Sequence, residues 1–198
     1  MRYLCIIMLI AISACNNKHN TDSYAYSADD SAYIKEHLRT ITTPYYREVS
    51  FKVYNGYYKI YYTSDGKTRS YPDSFTIANK YPRNYSIQDE NKDYILLTGS
   101  CGNPCHISYL LPLNNNNALS IADVIFTDLS NNCIVSVAGQ DSLQIYNTDT
   151  KKPFITRTDE CNSAYTGYCI DSLYITGDTL HIKFNNDGYK SDHVVKLN

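Results

Sequence analysis

EVSFKVY-NG-YYKIYYT, residues 48–63, is the stretch that decides the fold of this chain. Apolar and polar residues alternate on both sides of Asn55-Gly56, a pair that supplies the positive φ angles of a two-residue type I′ turn. Such a turn fixes the pairing of the two strands, so that Lys52 opposes Lys59. One face of the hairpin is then apolar and predicted to be core; it carries Val49, Phe51, Val53, Tyr58, Ile60 and Tyr62.

The opposite face of this hairpin carries Lys52, Tyr54, Tyr57, Lys59 and Tyr61. Tyrosine is the unusual residue of the composition, with 21 copies and no tryptophan, and its ring stacks on sugars or partners at low entropic cost. Two lysines directly opposite each other are unfavourable on a bare sheet, so an acidic group of this domain or of a ligand is expected over them. We predict a ligand-binding face here; the alternative is a covered face on which tyrosine is only a strand former.

Short strand patterns separated by turn signals continue to the C-terminus, mostly at intervals of about 10 residues. The predicted strands are 74–78, 93–98, 106–111, 123–127, 133–137, 143–147, 154–158, 173–176, 180–184 and 192–197. This spacing favours a mainly β fold, an antiparallel β-sandwich-like or barrel-like domain, over alternating βα units. Residues 133–158 resemble a propeller blade, but too few residues remain to close a ring of blades.

One short N-terminal helix is predicted before the first strand. Ser27 and Asp30 are spaced like a capping box, and apolar residues recur at helical spacing from Ile34 to Ile41. Pro44 then ends the pattern. We therefore predict a helix over residues 28–40.

The N-terminus has the layout of an export signal, with Arg2 before an apolar run that ends at Ala14 and is too short to span a bilayer. Ile12-Ser13-Ala14-Cys15 resembles the lipobox of bacterial lipoproteins. This resemblance implies cleavage before Cys15 and acylation of that residue, and two or three acyl chains anchor a protein stably. The alternative is an ordinary signal peptide cut nearby, or a short membrane anchor.

These features divide the chain into a signal peptide (1–14), a polar tether (15–26) and a single β-rich domain (27–198). Cleavage removes Arg2 and leaves 17 basic against 20 acidic side chains, a formal charge of −3. Without a basic block, nucleic acid is not an expected partner.

Asn16 is not the acidic residue often linked to inner-membrane retention, so we expect a lipid-anchored protein of the cell envelope, at the outer membrane.

Cysteine use agrees with export, because disulfides form outside the cytoplasm. Local pairing of Cys101 with Cys105 and of Cys161 with Cys169 is predicted, since each pair brackets a turn-like segment, although sequence alone leaves the connectivity open. Cys133 would then be a buried small hydrophobe.

A redox or metal site is the alternative for these cysteines. Cys101 and Cys105 are separated by three residues, whereas a thioredoxin-type motif has two. A zinc site would need ligands drawn from Cys101, Cys105, His106, Cys133, Cys161 and Cys169, and only the first pair has the usual spacing. No metal and no cofactor is predicted.

Motifs for catalysis do not occur: Gly-x-Ser-x-Gly, His-Glu-x-x-His and the P-loop are missing from the sequence. Asp89-Glu90 is interpreted as solvated surface, and Tyr45, Tyr46 and Tyr85 as loop-borne contacts. The sequence favours a non-catalytic binding or interaction module with a glycan or protein partner. The alternatives are an inhibitor or immunity-type protective lipoprotein, and an enzyme that these motifs do not identify.

Overall fold

The computed structural model describes residues 32, 39–54, 57–76, 85–100, 106–139, 141–158, 169–186 and 189–197. Within these ranges fifteen strands form four sheets, and every strand pairing is antiparallel. The mainly β, antiparallel prediction is therefore confirmed. The helix predicted over residues 28–40 lies almost entirely outside the described residues, and Thr40 belongs to a strand.

Strands follow one another across each sheet in chain order, so each sheet is an up-and-down meander. The first sheet contains β1 (Thr40–Thr42), β2 (Glu48–Tyr54), β3 (Tyr57–Ser64) and β4 (Lys67–Thr76). The second contains β5 (Ser86–Glu90), β6 (Tyr94–Ser100), β7 (His106–Pro112) and β8 (Leu119–Ala122). The third contains β9 (Val124–Asp128), a 3-10 turn (Leu129–Asn131), β10 (Cys133–Val137), β11 (Ser142–Asn147) and β12 (Lys152–Arg157). The fourth contains β13 (Ile170–Thr176), β14 (Thr179–Asn186) and β15 (Tyr189–Lys196).

The hairpin at residues 48–63 has the predicted register, and the predicted strands 173–176 and 180–184 form a second two-residue hairpin. In the first, Tyr54 pairs with Tyr57 and Lys52 with Lys59. In the last, Tyr174 pairs with His181 across the Gly177-Asp178 turn. The predicted core face of the first hairpin is buried except at Val53, which is half-buried.

The four sheets pack on one another in chain order, through three clusters of apolar side chains. Consecutive residues Ile95, Leu96 and Leu97 are all fully buried. Because neighbours in a strand point to opposite faces, such a run requires cover on both sides. Ile95 and Leu97 pack towards the first sheet, and Leu96 packs against Ile134 of the third.

The third sheet also has apolar contacts on both of its faces. Ile134 faces the second sheet, while Cys133 and Val135 pack against the fourth. The second and third sheets are therefore inner layers with apolar contacts on both faces. The described core contacts of the first and fourth sheets come from one face of each.

The strand pattern missed parts of this fold. β1, β5 and β8 were not predicted, and β4 begins at Lys67 rather than at residue 74. Within the described ranges the first and last strands of each sheet are not paired with one another, so the sheets are open and the barrel-like alternative is not seen there.

Candidate functional site

The outer face of the first sheet is the side of β2 and β3 opposite the core; it carries Lys52, Tyr57, Lys59 and Tyr61, and Tyr54 is paired with Tyr57 at the end of the hairpin. The structure thus brings the predicted binding residues together on adjacent strands. Lys52 is exposed, Lys59 and Tyr61 are half-buried, and Tyr57 is 51% exposed. The Tyr54 side chain lies outside the described part of the chain.

Tyr61 is the centre of this face, because its ring lies near both lysine ammonium groups. The Nζ atom of Lys52 lies 5.1 Å from the ring centroid, and that of Lys59 lies 5.6 Å from it. A cation held over an aromatic face at this distance gains about 0.5–1 kcal/mol at an exposed site. The aromatic ring therefore offsets part of the repulsion expected between two facing lysines, and it holds both positive charges at one place.

The loop between β1 and β2 lies at the end of the outer face and is fixed by a buried carboxylate. Only 1% of the Glu90 side chain is exposed. Its Oε1 atom accepts hydrogen bonds from Nη1 of Arg47 at 2.6 Å and from Oγ1 of Thr43 at 2.9 Å. Its Oε2 atom accepts one from the backbone N–H of Tyr45 at 3.1 Å. Glu90 thereby ties this loop to the second sheet.

The interpretation of Asp89-Glu90 as solvated surface is wrong. Asp89 Oδ2 accepts hydrogen bonds from Oγ1 of Thr127 at 3.0 Å and from the backbone N–H of Leu129 at 2.8 Å. The register between β5 and β6 shifts between Ile87 and Asp89. A bulge of this kind re-aims side chains, so both carboxylates turn towards neighbouring elements instead of alternating into water.

The three tyrosines predicted to be loop-borne contacts differ in their exposure. Tyr45 and Tyr46 are 60% and 91% exposed, as expected of loop-borne contacts. Tyr85 is instead buried, and its ring stacks on Phe51 with a centroid distance of 4.5 Å. For Tyr85 the prediction is wrong, because the residue leads into β5 and fills the space between the first two sheets.

The fourth sheet carries a second patch in which a lysine lies near a tyrosine ring. The Tyr174 ring stacks on His181 at 4.7 Å between centroids, and Nζ of Lys183 lies 5.2 Å from the Tyr174 centroid. Nδ1 of His181 lies 3.8 Å from an Asp192 carboxylate oxygen. This patch thus places one lysine and one carboxylate near the Tyr174–His181 stack.

A cavity of about 470 Å³ lies between the third and fourth sheets; it is lined by Asn147, Thr150, Lys152, Pro153, Phe154, Lys196 and Leu197. Its polar groups are largely used for structure. Asn147 donates to the carbonyl of Leu197 at 2.8 Å and accepts from two backbone N–H groups of the next turn. Lys196 donates to Asp178 at 2.7 Å. Asn147 and Lys196 are therefore engaged within the fold, whereas a ligand site offers polar groups that converge on the ligand.

The cysteine predictions are tested at Cys133, which is a free and fully buried thiol as expected. Burial raises the pKa of Cys133 to about 12, and Asp128 adds to the shift. Cys169 is disulfide-bonded, while Cys101, Cys105 and Cys161 lie outside the described residues, as does Cys15. The two predicted pairings and the lipidation of Cys15 therefore stay predictions.

We expect Cys133 to resist alkylation in the folded protein at pH 8, because its thiol is buried and almost none of it is ionised. Unfolding without a reductant should expose one thiol to iodoacetamide, provided that the other four cysteines of the domain are paired. Mass spectrometry before and after unfolding measures this directly. Alkylation of Cys133 in the native state at the rate of a free thiol would contradict the buried position.

Within the described ranges, no group of three or more His, Cys, Asp or Glu side chains is placed to hold a metal ion. In the same part of the chain, no helix has the length and apolar character needed to cross a membrane. The chain matches no model of a known protein family, and no curated protein is significantly similar to it.

Proposed function

We propose that the mature chain is a lipid-anchored envelope protein, without catalytic activity, that binds an acidic polymer on the outer face of the first sheet. The observation that carries this proposal is the position of two ammonium groups within cation–π distance of the single Tyr61 ring. Tyr57, which is 51% exposed on the same face, adds a second aromatic surface for a partner.

An extended acidic ligand suits this face better than a small anion does. The face is one side of an open sheet, whereas small ligands favour concave pockets that surround them. Lys52 and Lys59 lie side by side on neighbouring strands, so they can take successive acidic groups of a chain that crosses the hairpin. The mature domain has a formal charge of −3, and the attraction is therefore local to this patch.

Lipid attachment at Cys15 would hold this face near its ligand. The lipobox residues Ile12-Ser13-Ala14-Cys15 support the anchor, and the polar residues 15–26 support a tether that keeps the domain away from the bilayer. Asn16 after the lipidated cysteine favours the outer membrane as the location.

Retention on an acidic polymer tests the proposal. The mature lipoprotein in detergent should bind immobilised hyaluronan at about 20 mM salt and elute before about 1 M salt, where the Debye length falls to about 3 Å. A double variant with Lys52→Ala and Lys59→Ala should pass through the column. Passage of the unmodified protein at low salt, or retention that is independent of salt, would contradict an electrostatic binding face.

A further inference from the structure

Tyr46 is an unfavourable residue for its position in the β1–β2 loop. Thr43 donates its backbone N–H to the carbonyl of Arg47 at 2.8 Å, which closes a three-residue hairpin loop. Tyr46 ends this loop with a φ of 60°, in the left-handed region that glycine and asparagine adopt more readily. Its side chain is 91% exposed, so packing offsets very little of this strain. The choice of tyrosine is therefore explained poorly by stability.

The same loop is held rigidly. Glu90 binds Thr43, Tyr45 and Arg47 together, as described above, and the Arg47 guanidinium lies 5.4 Å from the centroid of the Tyr45 ring. A loop backbone on such a support keeps its position before a ligand arrives, so ordering the loop costs less conformational entropy on binding. Strain together with rigid support is typical of functional sites.

Beside Tyr46 lies a groove of about 300 Å³; its lining is Tyr46, Arg47, Glu48, Thr63, Ser64 and Asp65. This lining combines an aromatic ring, a cationic donor, two carboxylate acceptors and two hydroxyls. Sugar hydroxyls both donate and accept hydrogen bonds, and the C–H faces of a sugar ring pack on tyrosine. The two carboxylates make the groove unsuitable for an acidic group, so a neutral sugar ring fits it best.

The groove continues the outer face. Glu48 and Thr63 lie one residue beyond the Val49–Tyr62 pair of β2 and β3, in the same side-chain alternation as Lys52 and Lys59. Glu48 lies four positions from Lys52, and Thr63 four positions from Lys59, a distance of about 13 Å at the usual rise per residue. One oligosaccharide of a few rings can therefore contact both the groove and the lysines.

We propose that the acidic polymer is a glycan, with a neutral sugar ring stacked on Tyr46 and acidic rings over Lys52 and Lys59. This inference rests on the proposed function of the outer face and adds the chemical class of its ligand. An acidic polypeptide, which has no sugar ring to stack, would use the lysines alone.

Calorimetry on the mature lipoprotein in detergent can separate the two ligand classes. The probes are a hyaluronan hexasaccharide, which alternates neutral and acidic rings, and a capped triglutamate peptide with the same number of carboxylates. We expect the hexasaccharide to bind at least tenfold more tightly than the peptide. Tyr46→Gly should remove this difference without lowering the thermal unfolding midpoint, because glycine relieves the left-handed strain. Tyr174→Ala, on the fourth sheet, should leave both affinities unchanged.

Equal affinity for the two probes, or a preference for the hexasaccharide that survives Tyr46→Gly, would overturn the glycan inference and leave the acidic binding face intact. Absence of binding to both probes would overturn the proposed function itself, and the glycan inference with it.

Discussion

Replacing Glu90 with alanine is expected to lower the free energy of unfolding by about 2–4 kcal/mol. The substitution leaves the partly buried Arg47 guanidinium without its carboxylate and removes the acceptor for Thr43 and Tyr45. Removing one partner of a buried ion pair costs about 3–5 kcal/mol of stability. The Arg47 side chain is 22% exposed, which reduces that cost. Urea denaturation followed by circular dichroism measures the change.

Asp178→Ala is the matched control for this experiment. Asp178 also pairs with a cation, Lys196 at 2.7 Å, but both side chains are largely exposed. Exposed ion pairs contribute little to stability, so this variant should unfold at nearly the same urea concentration as the unmodified protein. If Glu90→Ala were as harmless as Asp178→Ala, Glu90 would not be the clamp of the β1–β2 loop.

Replacing Cys15 with serine is expected to move nearly all of the protein from the membrane fraction to the soluble fraction of the envelope. Serine cannot form the thioether, so the acyl chains that would anchor the domain are lost. Fractionation followed by immunoblotting measures the distribution, and metabolic labelling with a fatty acid provides an independent measure of acylation. Continued tight membrane association of an unlabelled Cys15→Ser protein would rule out the lipid as the anchor.

The hairpins could be predicted because their signals are local. The Asn55-Gly56 signal predicts every pairing observed between Val49 and Tyr62, without any knowledge of the remaining chain. Gly177 adopts a positive φ of 62° in the last hairpin and fixes its register in the same way. The pairing of Lys52 with Lys59 follows from this register, so the placement of these lysines on one face could be predicted from the sequence.

The stacking order of the sheets was not accessible in this way. The run from Ile95 to Leu97 is apolar at every position and does not reveal which residue faces which neighbour. Strands β1 and β8 contain only three and four residues, too few to establish a period. β5 was missed because its bulge breaks the alternation between Ile87 and Asp89.

The candidate site on the outer face of the first sheet could be predicted only in part. Tyr61 was placed on the correct face, but its contact with both lysines depends on side-chain conformations that no pattern specifies. The groove beside Tyr46 depends on Glu90, which lies 44 residues further along the chain. Its sequence signal is the pair of tyrosines after Pro44, and the interpretation as a loop-borne contact is wrong for Tyr85.

The most direct test of the binding face compares two charge reversals on matched patches. Lys52 lies 5.1 Å from the Tyr61 centroid on the first sheet, and Lys183 lies 5.2 Å from the Tyr174 centroid on the fourth. The measurement is the dissociation constant of each variant for hyaluronan hexasaccharide at low salt. We predict that Lys52→Glu weakens binding at least tenfold while Lys183→Glu changes it less than twofold. Equal effects of the two substitutions would contradict a binding site on the outer face of the first sheet.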